Sequence, residues 1–492
     1  MPEHPERWHP SPQALFVGGA LIAVTAAGLL AHQGRALRYV FPAVALLGAL
    51  ALYRSRPLAY LGLVWWLWIL SPEVRRLSDY QAGYDSLNPI MLAPLLAGGL
   101  CVFTLLRRAP SVRSAKLRGI AGIIAGLVVA TATGLVLNGA SAAIYALATW
   151  LVPPLFAAHL GLEWKSYPQL RRTMFRLSVA TTVVISAYSL VQFFVFPAWD
   201  RYWGVQSRIG EYLHATARHL RPFSTLNSAG PFAFVLVLML LIVFQSRSRL
   251  RAPTLVLGVV ALTLTQVRSA WGVFVLGMGY LIVSQGHSLR KSLRILLVAV
   301  IPVLAITLQS GPVAKLIDSR FHTVTAVSTD ESFNARLHFL SYYAPAALLD
   351  PIGHGIASTT SATKLVGTQQ ANGTVTSFDN GFLDIPYSLG WLGTALYVTG
   401  GLVLMREAAR ASPQDSLVSA SRAVGISAIV FLLFGSDLFG VEGFFVWLPL
   451  GLALASRSHA AESVAGTAAH SVTGAVLRSP TGVGTPAAIR SW

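Results

Sequence analysis

Cysteine is almost missing from this 492-residue chain. The single thiol, Cys101, lies inside an apolar run, where it reads as a small core residue and excludes both a disulfide framework and a cysteine metal site. Charge is also scarce: 11% of residues are charged, where a soluble protein carries about a quarter. Acids are the rarer sign, 19 against 37 Lys plus Arg. Several catalytic signatures are missing. There is no Gly-Lys-Ser/Thr phosphate loop, no His-Glu-x-x-His, no paired Cys or His at metal spacing, and no Asp-x-Asp of the kind that holds a nucleotide sugar through a metal. An enzyme with this sequence is expected to work without ATP, without a metal, without a soluble nucleotide sugar and with no cofactor.

What is present is apolar length. Hydrophobic residues make up 54% of the chain, and runs long enough to cross a bilayer, roughly 17–25 residues each, recur along most of it. Strand-type alternation is absent, so the spans are helices, which satisfy their own backbone hydrogen bonds in lipid. They fall near 14–30, 39–53, 57–70, 88–106, 119–137, 141–160 and 177–197 in the first part of the chain. The second part adds 229–244, 252–266, 270–285, 295–309, 381–404, 423–436 and 442–456. The expected fold is therefore an all-α polytopic membrane protein of about 12–14 transmembrane helices. The first run reads as a retained helix, because one arginine precedes it and no convincing small-residue cleavage site follows it.

The net charge of +18 invites a nucleic-acid reading, which its distribution argues against. With the N-terminus placed in the cytoplasm, the inner loops include RRAPSVRSAKLR (107–118), EWKSYPQLRRTMFR (163–176) and QSRSRLRA (245–252). That side holds 24 Lys/Arg against 6 Asp/Glu, and the other side holds 13 of each. This positive-inside asymmetry sets orientation, with both termini cytoplasmic, and no nucleic-acid partner is expected.

The chain then divides into a cytoplasmic N-terminus (1–13), eleven spans over 14–309 with an outer loop at 198–228, a large outer loop at 310–380, three spans over 381–456, and a tail at 457–492 whose Ala, Ser, Gly and Thr content reads as disordered. Loops this long are usually functional or disordered. Within the second, ESFNARLHFLSYYAPAALL (331–349) has helical apolar spacing and reads as a short surface helix. The polar stretch 357–377 after it reads as mobile. Gly122 and Gly126 form a small-xxx-small pair suited to close helix packing, and Pro153 and Pro154 are expected to kink the sixth span.

Polar residues gather on the outer side. LRPFSTLNSAG (220–230) brings Arg221 and Asn227, QVRSAWG (266–272) brings Arg268, and FNARLHF (333–339) brings Arg336 and His338. DPIGHGI (350–356) is a glycine-flanked turn with His354, and SFDNGFLD (377–384) brings Asp379, Asn380 and Asp384. Three arginines on the face that the orientation rule depletes of positive charge point to a phosphate-bearing ligand, since the guanidinium suits planar bidentate recognition of phosphate. Each also has a plainer reading. The arginines could anchor helix ends, the histidines could be structural, and Asp379 with Asn380 fits the N-cap of the next helix. Trp199, Tyr202 and Trp203 read first as an interfacial aromatic belt and second as a sugar-stacking surface. Asp384 lies about a turn into the span, where an acid is a functional candidate.

The order of these segments resembles the O-antigen ligase and polymerase family, the Wzy-type polymerases and lipopolysaccharide ligases. RPFSTLNSAGPFAF (221–234), LTLTQVRSAWGVFVLG (262–277), NARLHFLSYYAPAALLDPIGHGI (334–356) and SFDNGFLDIPYSLGWLGTALY (377–397) carry the likeness, which covers roughly 170–450. The resemblance implies a GT-C-like, metal-independent glycosyltransferase of the bacterial inner membrane. Its donor and acceptor would be glycans linked to undecaprenyl pyrophosphate within the membrane lipid. A chain-length regulator and a flippase of the same pathway would be its partners. Arg221, Arg268 and Arg336 would hold the pyrophosphate leaving group, Asp379 would act as base, and Asn227, Asn380, Asp384, His338 and His354 would line the substrate. Ligases of the family carry His where this chain has Asp379, a departure that favours a polymerase reading over a ligase and leaves His338 and His354 as alternative bases. A transporter or flippase is the alternative of another class. Transporters, however, place binding groups near the bilayer midplane in repeated halves, whereas this chain collects its polar residues at one mouth.

Overall fold

The computed structural model describes residues 11–108, 115–285, 331–359, 361–366 and 378–476, and every regular element among them is a helix. The first eight α-helices are α1 (Pro12–Leu30), α2 (Gly34–Ser55), α3 (Pro57–Ala82), α4 (Ala93–Gly99), α5 (Val102–Arg108), α6 (Ala115–Leu137), α7 (Ala140–Leu162) and α8 (Tyr167–Val195). They are followed by α9 (Ala198–Gln206), α10 (Ala229–Phe244), α11 (Arg251–Leu264), α12 (Arg268–Gln285), α13 (Glu331–Leu349), α14 (Gly381–Ala409), α15 (Ser416–Phe431) and α16 (Gly440–Val476). Among the described residues eight helical segments are long and apolar enough to cross a membrane, and four shorter apolar helices, α10, α11, α12 and α15, stand with them. The chain is thus a multi-pass helical membrane protein. The expected span at 295–309, the loop portions 310–330 and 367–377, and the tail beyond 476 lie outside the described residues.

The helices pack around α10, which is buried at every position from Phe232 to Phe244. A helix apolar on all sides has no solvent or lipid face and belongs at the centre. Close approach elsewhere is a matter of missing side chains. A Cβ on Gly126 of α6 would stand 2.5 Å from the Gly393 carbonyl oxygen of α14, and one on Gly400 of α14 would stand 2.4 Å from the Gly119 carbonyl oxygen. Gly122 faces Leu396 and Gly400 of the same helix, so the small-xxx-small pair packs two spans backbone to backbone, as its spacing predicts. Gly451 of α16 meets the backbone of Ala157 on α7 in the same way. Cys101 is a buried free thiol at the joint between α4 and α5.

Two boundaries differ from the apolar pattern. The third span continues as helix from 70 to Ala82, because the polar residues after it keep a helical repeat: Ser71, Arg75, Ser78 and Asp79 all face inward and are buried. At 26 residues α3 is about 39 Å long, more than the roughly 30 Å apolar core of a bilayer, so its last turns stand clear as a polar post. The last helix also continues past 456, to Val476, and its Arg457 pairs with Glu407 of α14. A third difference concerns the stretch from 357. Ala357, Ser358, Thr359 and Ala362 are buried, and residues 361–365 form a 3-10 turn, so this first part of the expected mobile segment is packed into the protein.

Candidate functional site

The end of the bundle where α3 finishes and α14 begins collects the polar residues. Its first half is built on the post. Arg76 of α3 is fully buried, pairs with Asp200 of α9 at 2.8 Å and with Glu73 one turn back, and donates to the carbonyls of Ser224 (2.5 Å) and Leu226. Gln192 of α8 completes the clamp. Its Oε1 accepts from the amides of Phe223 (3.1 Å) and Ser224 (2.6 Å), and its Nε2 donates to Asp200 and to the Ser224 carbonyl, both at 2.9 Å. Tyr188 donates to Asp200 (2.8 Å), and Trp199 donates to Glu73 (2.9 Å). Burial pushes the Asp200 carboxyl up to about 6, with Arg76 pulling against that rise.

These bonds make an irregular segment, 222–227, possible in the interior. Phe223, Ser224, Thr225 and Leu226 are all buried, and Ser224 holds a left-handed φ of 52°. Non-helical backbone at membrane depth is tolerated only where protein groups satisfy it or where it lines a cavity. Here both conditions hold. Asn227 and Ser228 line a cavity, and the buried Asn227 Oδ1 has no hydrogen-bond partner among the described residues. Arg221, at the start of the segment, donates from Nε to the Thr265 carbonyl (2.9 Å) and pairs through Nη1 with Glu211 (2.6 Å). Three residues beyond Thr265, Arg268 opens α12. The 221–230 and 262–277 motifs are therefore joined by a direct bond.

The second half is joined by glycine. The 350–356 turn lies against a break in α14 at Gly390, whose φ of 64° and ψ of −178° leave the helical region. A Cβ on Gly390 would stand 2.3 Å from the Ile352 carbonyl oxygen, and one on Gly355 would stand 2.5 Å from Cα of Gly134. The amides of His354 and Trp391 close the joint by donating to the carbonyls of Tyr387 (2.8 Å) and Pro351 (3.0 Å). Gly390→Val is expected to destabilise this joint by on the order of 1–3 kcal/mol from backbone conformation alone, before the clash is counted. A lowered melting midpoint of the detergent-purified protein checks it, with Gly279→Ala, where nothing lies within 4 Å, as the neutral control.

Helix α13 rests on the same joint: Phe339 and Tyr343 pack on Phe378 and Tyr387. The segment that follows reaches the cavity. Asn380, rather than Asp379, is the N-cap of α14, accepting from the Leu383 amide at 3.1 Å. Asp379 is exposed on the cavity wall. Asp384 is fully buried on that wall; its Oδ1 accepts from Ser388 Oγ (3.0 Å), and its Oδ2 has no hydrogen-bond partner among the described residues.

The cavity has a volume of about 960 Å³, at the upper end of ordinary ligand pockets. Its wall combines Asn227, Ser228, Asp379 and Asp384 with the aromatic side chains Trp68, Trp203, Phe378 and Phe439. Of the expected site residues, the structure gathers these three, Asn227, Asp379 and Asp384, on one cavity, with Asn380 capping the helix behind. Arg221 bonds to Glu211, which lines the cavity, and to Thr265, three residues before Arg268; neither arginine is among the cavity-lining residues. The side chain of Arg336 lies outside the described residues; its position is one turn before Phe339 on α13. His338 is exposed on that helix. His354 stacks on Tyr387 at 4.0 Å and belongs to the glycine joint, not to the cavity. The aromatic trio divides: Trp199 serves the clamp, Tyr202 accepts from the Tyr84 amide (3.0 Å), and Trp203 is in the cavity wall.

Sequence reasoning missed Arg75, Arg208, Glu211 and Lys364 on the cavity, and Arg76 and Asp200 beneath it. The helical repeat of polar residues over 71–79 was the available signal for α3. Nothing comparable marks Lys364, which reaches the cavity because the chain around it turns inward.

With this geometry in hand, comparison with known proteins adds one match. Residues 253–398 match the family model described as O-antigen ligase, and the chain is O-antigen ligase-like over that segment, which runs from α11 through Arg268 and the glycine joint into α14. No curated protein matches the chain.

Proposed function

We propose that this O-antigen ligase-like protein is a bacterial inner-membrane glycosyltransferase that polymerises undecaprenyl-pyrophosphate-linked repeat units at the periplasmic face. The observation that carries the reading is the union, at one end of the bundle, of the Arg221–Thr265–Arg268 junction with the cavity that presents Asn227, Asp379 and Asp384. The asymmetry of Lys and Arg puts that end outside and both termini in the cytoplasm. The arginines, with Arg336, hold the donor's pyrophosphate and stabilise the charge that develops on it as it leaves. Asp379 removes the proton of the acceptor hydroxyl as that oxygen attacks the anomeric carbon; a carboxylate within hydrogen-bond reach is adequate as a general base. Aromatic side chains in the wall suit the apolar faces of sugar rings. The residues given these roles need no cofactor or metal.

The description of the matched family as O-antigen ligase favours a second reading, transfer of finished glycan to a lipid or protein acceptor. A deletion strain separates the two by its glycan profile. Single repeat units are expected for a polymerase. Full-length polymer left on its lipid carrier would establish the ligase, and repeats trapped on the cytoplasmic side would establish a flippase instead.

A further inference from the structure

The polymerase reading has a geometric requirement. Donor and acceptor both end in a lipid-borne diphosphate, and the two anions must be held apart while the acceptor's far sugar meets the donor's anomeric carbon. One group of cations, Arg221 and Arg268, is on segments joined by the Arg221–Thr265 bond and does not line the cavity, though Arg221 pairs with Glu211, which does. A second, unrelated in sequence, lines the cavity itself: Arg75 from α3, Arg208 from the turn after α9, and Lys364 from the 3-10 turn at 361–365.

The second group is available for a ligand. Arg75 is 6% exposed and anchored from within, Nε to Asp79 (3.3 Å) and Nη2 to the Asp85 carbonyl (2.7 Å), with its guanidinium 5.7 Å from the centre of the Tyr84 ring. Neither Arg208 nor Lys364 makes an ion pair among the described residues. Arg208 holds a left-handed φ of 56°, a conformation that costs a non-glycine residue energy and that recurs where a side chain is presented to a ligand. Desolvation at the wall, and then the nearby Arg75 guanidinium, hold the Lys364 ammonium below its usual range, so the two cations share one neighbourhood. Of the four acids on the same wall, Glu211 is committed to Arg221, and Asp379, Asp384 and Glu442 line the cavity with the three cations; no ion pair joins any of these three acids to Arg208 or Lys364 among the described residues.

We propose that Arg75, Arg208 and Lys364 form a second anion subsite, which takes the diphosphate of the lipid-linked acceptor while the Arg221–Arg268 group takes that of the donor. The inference rests on the polymerase reading. In the transfer, the acceptor oxygen bonds to the donor's anomeric carbon and its proton passes to Asp379. The bond from that carbon to the donor diphosphate breaks, and the electron pair leaves with the diphosphate. The acceptor's own diphosphate stays intact in the cavity, so the two subsites see different chemistry: one holds a leaving group and the other an anchor.

Calorimetric titration of the purified full chain in phosphatidylcholine nanodiscs, with farnesyl diphosphate as the probe, tests this. The wild type is expected to bind two equivalents. R208Q/K364Q is expected to lose one of them, with affinity at that subsite about a hundredfold weaker for the loss of two charge-assisted contacts. R221Q/R268Q is expected to lose the other. Retention of both equivalents by R208Q/K364Q overturns the proposal. So does a wild type that binds one equivalent, lost only in R221Q/R268Q, an outcome that leaves the donor site standing. If R221Q/R268Q keeps both equivalents while R208Q/K364Q loses one, the donor assignment falls and the cavity subsite stands. Inorganic pyrophosphate should displace the cavity equivalent. Displacement by phosphatidylglycerol in the disc instead would assign the subsite to bulk lipid headgroups and overturn it. Both side chains are exposed, and R208K/K364R, which keeps both charges, is expected to retain two equivalents, so loss in the Gln pair cannot be put down to misfolding.

Discussion

Alanine at Arg221, Arg268 or Arg336 is expected to lower glycan transfer by about 10²–10³-fold each while the protein still inserts in the membrane. The size follows from when the interaction matters. A guanidinium that meets a diphosphate gains most as negative charge builds on the departing oxygen, so its removal is felt in the rate more than in substrate binding. Arg221 also has a structural bond, to Thr265, and an ion pair, to Glu211, and these must be told apart from the catalytic role. Glu211→Gln breaks the ion pair and leaves the guanidinium in place. If Arg221 serves only to tether Glu211, the two variants will lose equal activity; if it serves the leaving group, Arg221→Ala falls far below Glu211→Gln. Arg221→Lys should recover part of the loss, since the charge returns without the planar pair of donors. Polymer length distributions from a deletion strain complemented with each variant provide the measurement, and wild-type polymer from all three alanine variants would sink the assignment.

Arg76→Met is expected to have the largest effect on the protein itself, a loss of about 3–5 kcal/mol, because it removes one partner of a buried ion pair and leaves the other charged. That is a substantial fraction of the roughly 5–15 kcal/mol that holds a typical domain together. Asp200 and Glu73 would lose their cation, the Leu226 carbonyl would lose the Arg76 donor, and the Ser224 carbonyl would keep only Gln192 Nε2, all in a buried setting. The 222–227 segment should then open, taking Asn227 off the cavity wall and Arg221 away from Thr265. Asp200→Asn should be milder, since it keeps the shape, leaves Glu73 to balance Arg76, and removes a carboxyl that burial already drives toward its neutral form. Limited proteolysis within 207–228 reads the opening directly. An Arg76→Met protein as resistant there as the wild type would show that the clamp is dispensable.

Much of this was legible in the chain. Apolar runs of bilayer length give helices because lipid leaves the backbone no other partner, so the spans could be placed from composition and length. Gly122 and Gly126 announced a close helix contact, and the structure supplies its partner, α14. The motif residues Asn227, Asp379 and Asp384 do come to one cavity. The sequence also ranked its basic residues by motif, and in that it was incomplete. Arg221 and Arg268 are not among the cavity-lining residues, while Arg75, Arg208 and Lys364, which belong to no motif, are.

The division has a physical cause. A helix in lipid is specified locally: its hydrogen bonds close within four residues and its outward face must be apolar, so residue order along the chain determines where spans begin, which way they run and which segments return to the same side. A cavity has no such local rule. Arg76 and Ser224 are 148 positions apart, Gly134 and Gly355 more than two hundred, and neither pair shares a pattern that the chain could display in advance. Which of the cations line the cavity and which are buried as struts was decided only when α3, α9, the inward residues 357–359 and 361–366, and the start of α14 closed around the same space.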